Sequence, residues 1–220
     1  MTTAPITLYC DGYFVNQWDG ACMVALAEKG LVYSTARALL RDGQGVPPAL
    51  HQLTAIARVP ALQHGDMWLT ESSAIIEYLD EAFPPPDYPR LMPEEPRRRA
   101  RARQVMAWVR GDLQELRDER EYWTTLYPAP PPRPLSRVGL KLAGELVVLA
   151  TRLLDWGELD GFSCMHVDLA LTLRRLTPLD PALPDSVVAF VERTCSRPSV
   201  QAYLHHPRPP NPPPLTASRG

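Results

Sequence analysis

Arg58-Val59-Pro60-Ala61-Leu62, a short spacer, and Leu69-Thr70-Glu71-Ser72-Ser73-Ala74-Ile75-Ile76 form the stretch whose reading decides the fold. Val59 is β-branched and precedes a proline, which pushes its backbone into an extended conformation. An X-Pro linkage is also the one peptide bond that goes cis at small cost. A cis bond at Pro60 would turn the Val59 N–H and C=O outward, leaving a strand edge to pair with a peptide-like ligand. After a strand-like Met67-Trp68-Leu69, a helix starts at Thr70-Glu71-Ser72. The free N–H groups of its first turn and the Ser72 hydroxyl suit an anion, and the Glu71 carboxylate suits an ammonium. Strand edge, carboxylate pocket and ammonium acceptor together describe a receptor for a small zwitterionic peptide.

Upstream, Ile6-Thr7-Leu8-Tyr9 reads as a buried first strand, broken by Asp11-Gly12. A helix runs from Asn16 or Trp18 to Lys29, and Gly30 sits where a left-handed cap is wanted. Leu31 to Thr35 is the next strand, parallel to the first in a βαβ unit. Residues 41–57 are irregular, with a short helix near Ala49–Leu53. Pro60–Gln63 and Met67–Leu69 pair across His64-Gly65-Asp66, and Ser73 to Phe83 is helical. This order, βαβ-α-ββα, is that of a thioredoxin-like domain over residues 1–83.

Downstream, Pro84, Pro85, Pro86, Pro89, Pro93 and Pro96 remove backbone donors and make residues 84–96 a stiff linker. The period is then helical to residue 206, an all-α domain over 97–206. Ala102 to Leu116 predict a long helix reaching Trp123; Pro128 to Pro134 form a turn; Val138 to Leu153 return. Further helices open at Ser163, Ser186 and Ser199, and residues 207–220 are a proline-rich tail.

With 220 residues, a net charge of −2, 45% apolar and 22% charged residues, the chain reads as a soluble globular protein. That charge gives no general attraction to nucleic acid or anionic membranes. No apolar run approaches the roughly 18 residues of a membrane span, and residues 1–20 lack a signal-peptide core. Cys10, Cys22, Cys164 and Cys195 are far apart, which argues against a disulfide framework and suits the cytoplasm. The run Arg97-Arg98-Arg99-x-Arg101-x-Arg103 reads as a solvated helix face or dimer contact, not a nucleic-acid patch. His205-His206 has no partner at metal spacing, so no metal is expected.

Val-Pro followed by Glu-Ser-x-Ala-Ile resembles the glutathione-binding half of the cytosolic glutathione transferases. Ile6-Thr7-Leu8, Val24-Ala25-Leu26-x-Glu28-Lys29-Gly30-Leu31 and Arg99-Ala100-Arg101-Ala102-Arg103-Gln104 resemble a bacterial subgroup with a serine-type active site. The resemblance implies an α/β thioredoxin-like N-terminal domain, an all-α C-terminal domain, and a homodimer. It also implies that the backbone at Val59-Pro60 pairs with the cysteinyl moiety of glutathione, the co-substrate, while Glu71 and Ser72 hold its γ-glutamyl end. His51 and Arg58 are the candidates for the glycine carboxylate. Ser163-Cys164-Met165-His166 matches the family's capping box with His166 in place of its acid, a box expected to be weakened.

Such an enzyme must turn the bound thiol into a thiolate. From a pKa of about 8.5 this needs roughly 2 kcal/mol, within reach of one hydrogen bond to a charged group at about 1.5–3 kcal/mol. In the subgroup the donor is a serine followed by proline; here Asn16-Gln17 stands there. Asn16 is either the thiolate donor, with Gln17 as fallback, or simply the helix cap. Cys10 reads as a buried structural thiol rather than a redox cysteine. Tyr122, Trp123 and Tyr127 either line an apolar co-substrate pocket or pack the core. The activity expected is thiolate attack on a hydrophobic electrophile. The alternatives are a glutathione-dependent peroxidase or disulfide reductase, with a hydroperoxide as partner, and a non-catalytic binder.

Overall fold

The computed structural model describes residues 4–38, 50, 52 and 56–210. Strand β1 (Ile6–Asp11) alternates, with Ile6, Leu8 and Cys10 facing the core. Helix α1 (Gln17–Glu28) follows, and Asn16 caps it by accepting the Trp18 N–H on Oδ1 at 3.0 Å. It ends in a Schellman motif: Gly30, at φ +65°, donates to Ala27 O, and Leu31 N–H reaches Leu26 O at 3.1 Å. That motif carries the chain around the helix end, so β2 forms over Ser34–Ala38, later than the apolar run suggests, and Val32 is left exposed. Strands β3 (Ala61–His64) and β4 (Met67–Thr70) make a hairpin turned at Gly65, φ +62°. The sheet order is β2-β1-β3-β4, with β1 parallel to β2 and antiparallel to β3. Helix α2 (Ser72–Ala82) covers it with Ile75, Ile76 and Leu79. This is the thioredoxin-like half; of the short helix expected near 49–53, only Leu50 and Gln52 lie among the described residues.

The second half is helical: α3 (Pro96–Gly111), α4 (Gln114–Glu119), a 3₁₀ turn at Tyr122–Thr125, and α5 (Arg137–Asp155). Then come α6 (Cys164–Leu173), α7 (Asp185–Cys195) and α8 (Pro198–Leu204). The single helix expected to reach Trp123 instead breaks after Gly111, a weak helix former. Leu113 leaves the helical region (ψ 25°) and sinks fully into the core. No helix among the described residues is long and apolar enough to cross a membrane.

The proline-rich connection is pinned rather than a free spacer. Leu91 and Met92 are buried, and Leu91 N–H donates to Asp80 Oδ1 at 2.7 Å. The same oxygen takes the ammonium of fully buried Lys29 at 3.0 Å, and Lys29 also reaches Phe83 O at 2.7 Å. The arginine run divides its roles. Arg103 forms a bidentate pair with Glu77 on α2 (2.7 and 2.8 Å), while Arg98 and Arg99 donate to the carbonyls of Gly157 and Pro93. Helix α8 lies directly on α1, because Gly20 carries no side chain: a Cβ there would run into the Tyr203 ring.

The capping box of α6 closes in spite of its histidine. Ser163 N–H donates to His166 Nδ1 at 3.1 Å, the ring's lone pair standing in for a carboxylate. Burial pushes the His166 pKa below its ordinary value, with Arg193 and Arg197 adding to the effect. Below about pH 6.5 the unfolded chain therefore binds a proton that the folded chain resists, and stability falls with falling pH at up to about 1.4 kcal/mol per unit. Denaturant titrations at pH 7.5 and 5.5 should show this loss in the parent and a smaller one in His166→Asp, which titrates near pH 4.

Candidate functional site

Residues far apart in sequence meet where the hairpin begins. The Val59–Pro60 bond is cis, and both residues are buried just ahead of β3. Thr70 Oγ1 donates to Ile56 O at 2.8 Å, fixing the preceding loop to the end of β4. Glu71 sits at φ +70°, ψ 109°, a conformation costly for a residue with a side chain. Its carboxylate does not cap α2 but meets Arg58 Nη1 at 3.1 Å, both side chains being substantially exposed. Ser72, by contrast, is buried, and its Oγ accepts from Arg110 Nη1 at 2.9 Å. Arg58, Val59, Pro60, Glu71 and Ser72 thus share one cavity of about 270 Å³. His51 lies outside the described residues.

The remaining walls of that cavity come from Trp18, Arg110, Gln114 and Arg117, none of which the sequence reading singled out. No local signal could have found Arg110, which follows Val109 on α3 and reads in the sequence as solvated helix surface. Its Nε donates to Asp168 Oδ2 on α6 at 2.8 Å, and Nη2 lies 2.7 Å from the same oxygen. Its guanidinium carbon is 4.9 Å from the centroid of Trp18. Asp168 is fully buried; burial pushes its carboxyl above the usual range, and Arg110 opposes the shift. Arg117 is taken up by the carbonyls of Val109 and Arg110 and by Gln114 Oε1.

A second cavity of about 420 Å³ adjoins the first and shares Trp18, Gln114 and Arg117 with it. Asn16 lines it; its Oδ1 is occupied by the helix cap. Gln17 must be withdrawn as a thiolate donor. Its side chain is buried, with Nε2 donating to Asp168 O (3.1 Å) and Thr172 Oγ1 (2.7 Å), while Oε1 accepts from Arg175 at 3.0 Å. Every polar atom of that amide already has a partner. Tyr122 and Trp123 both pack inward and also line this cavity; burial pushes the Tyr122 hydroxyl up to about 12. Tyr127 instead donates to Pro209 O at 2.8 Å.

The sequence matches the family models for the N-terminal domain of glutathione S-transferase over residues 5–81 and for its C-terminal domain over 95–207. The chain belongs to the glutathione S-transferase family. A glutathione transferase homolog from Burkholderia, solved with bound glutathione, is 32% identical and superposes with a TM-score of 0.73. The match covers 91% of this chain and 96% of that one. Among curated proteins, maleylacetoacetate isomerase of Pseudomonas aeruginosa is 45% identical over 97 residues, 42% of this chain and 44% of that protein. A stringent starvation protein A homolog of Haemophilus influenzae is 37% identical over 116 residues, 51% of this chain and 48% of that one. The chain thus spans about half the length of the curated relatives it matches.

The thiols of this glutathione S-transferase family member are all withdrawn from solvent. Cys10, Cys22 and Cys164 are completely buried, Cys195 nearly so, and none forms a disulfide. Burial pushes each thiol pKa up; for Cys10 the nearby Asp19 carboxyl pushes the same way. A raised pKa and no access make a thiol inert. Cys10 therefore has neither the exposure nor the ionisation of a redox nucleophile. An aromatic disulfide reagent should consume almost no thiol in the native chain and the full complement after unfolding; prompt reaction of one native thiol would contradict this.

Proposed function

We propose that the chain binds glutathione in the first cavity and activates its thiol for attack on an electrophile held in the second. The observation that carries this reading is the meeting of the cis Val59–Pro60 segment with Glu71 and Ser72 around one cavity. The outward N–H and C=O of Val59 pair with the cysteinyl unit, as an added strand would. Ser72 and the first turn of α2 receive the γ-glutamyl carboxylate, and Glu71 receives its ammonium. In the free protein Arg58 already occupies Glu71, so the ligand ammonium displaces it and frees a guanidinium for the glycine carboxylate. Asn16 keeps its cap through Oδ1 and offers Nδ2 to the sulfur.

The electrophile site is lined by Val15, Trp18, Tyr122 and Trp123 together with Asp11, Gln114, Arg117 and Glu121. That mixture suits an electrophile with an apolar body and hydrogen-bonding groups. The polar part favours, as a second reading, an isomerisation, the reaction for which the Pseudomonas relative is named. Calorimetry with reduced glutathione, followed by conjugation and isomerisation assays, separates binding from both chemistries. Asn16→Asp retains the cap acceptor and removes the donor, so it should keep the parent's melting temperature while lowering turnover by roughly 10- to 100-fold. Equal turnover in parent and variant would take Asn16 out of the mechanism.

A second copy of the chain is the partner that best fits the groove between α3 and α5. Val105, Trp108, Val148, Leu149 and Trp156 line it, and Arg101, Lys141, Arg152 and Glu145 frame it. Val148 and Trp156 of this groove are about half exposed, apolar surface that a partner would cover. In a two-fold dimer the same patch meets itself. Light scattering should give twice the chain mass for the parent and the single mass for Val148→Glu; an unchanged mass in the variant would remove this face from the interface.

A further inference from the structure

The segment that leads from β1 into α1 lines the second cavity at Asp11, Val15 and Asn16, and it is held from two directions. From within, the Asp11 carboxylate accepts the N–H groups of Tyr13 at 3.1 Å and Val15 at 3.3 Å. Its carbonyls are held by residues from the far end of the chain. Arg208 Nε donates to Phe14 O at 3.1 Å, and the Tyr203 hydroxyl donates to Asn16 O at 3.3 Å. The Arg208 guanidinium carbon lies 5.2 Å from the centroid of the Tyr203 ring, so the two holders act as one unit. His206 closes its side, with ring centroids 4.4 Å from Phe14.

This unit does more than finish a helix. Arg208 caps α8 through the carbonyls of Tyr203, Leu204 and His206, and those contacts suffice for the helix end. The remaining one leaves α8 for Phe14, whose φ of +53° is costly for a residue with a side chain. Such a conformation persists only where its surroundings over-determine it. The bond to Phe14 O fixes the peptide plane leading to Val15, and the bond to Asn16 O fixes the plane leaving Asn16. With Oδ1 committed to the Trp18 N–H, Nδ2 is the group of the Asn16 amide left to aim. We propose that Arg208 is a positioning residue for Asn16: it locks Phe14 to Asn16 so that Nδ2 points at the bound sulfur. Arg208 itself lines neither cavity and touches neither substrate. This rests on the glutathione reading with Asn16 as donor, and it makes the C-terminal segment part of that machinery.

The test measures binding, turnover and coupling in the full chain. Calorimetry with reduced glutathione should give Arg208→Gln the parent's affinity, because Val59, Glu71 and Ser72 are untouched. Its turnover at saturating glutathione should fall roughly 10- to 100-fold, the cost of a reacting group displaced by about 1 Å. In the Asn16→Asp background the same substitution should change turnover little, since the group it positions is already gone. A merely structural role gives another pattern: affinity and turnover drop together, and the loss is the same in both backgrounds. That pattern, or parent-like turnover in Arg208→Gln, overturns the assignment. Arg208→Lys keeps a cation for the α8 carbonyls without the fork; it serves where Arg208→Gln does not fold, with a smaller loss of the same kind. Equal turnover in the parent and Asn16→Asp would sink the role of Asn16. Absence of glutathione binding or turnover in the parent would sink the glutathione reading, and in either case this assignment falls with it.

Discussion

Helix α1 is walled in on nearly every side, and the rest of the molecule is arranged to make that possible. Of its twelve residues nine are buried, far more than one apolar stripe would cover. Sheet and α2 take one side; α6 and α8 take the other, α8 pressing onto Gly20. A helix so enclosed needs partners for the polar atoms it carries inward, and Oδ1 of fully buried Asp19 is the exception that has none. Gln17 finds them on α6 and at Arg175, and Lys29 finds them at Asp80 and Phe83. The Gln17 contacts fasten the two halves together, so the cavity at their seam inherits walls from both.

The division of labour at the seam follows from that fastening. The sheet half supplies backbone, a hydroxyl, a carboxylate and the Arg58 guanidinium paired with it, groups placed around a proline and a helix start. The helical half supplies cations, and cations near a cavity must themselves be neutralised from behind; Asp168 does this for Arg110. Glu71 belongs to the same economy of charge, with its backbone held at positive φ and its carboxylate parked on Arg58. Such an arrangement is already half-organised for a ligand bearing both signs of charge.

The sheet half was largely legible because its signals are local. Val59-Pro60, the Gly30 cap and the turn at Gly65 each fix their own neighbourhood, and the alternation in β1 needs no distant partner. Where the reading slipped, tertiary contacts won: the Schellman motif displaced β2, and the pull of Leu113 into the core broke the helix expected to reach Trp123. At the site, Glu71 and Ser72 could be named from spacing, whereas Arg110, Arg117 and Trp18 could not. An arginine in a helical run looks like surface unless the buried carboxylate that holds it is known, and Asp168 is 58 residues away from Arg110. Gln17 illustrates the reverse case, a polar residue in a suggestive place whose hydrogen-bonding capacity is consumed by the core.

The burial of all four cysteines has a further consequence. Any protein that meets alkylating molecules risks having an accessible thiol of its own permanently capped. By sealing its four thiols inside helices and sheet, this chain keeps them out of reach of alkylating molecules.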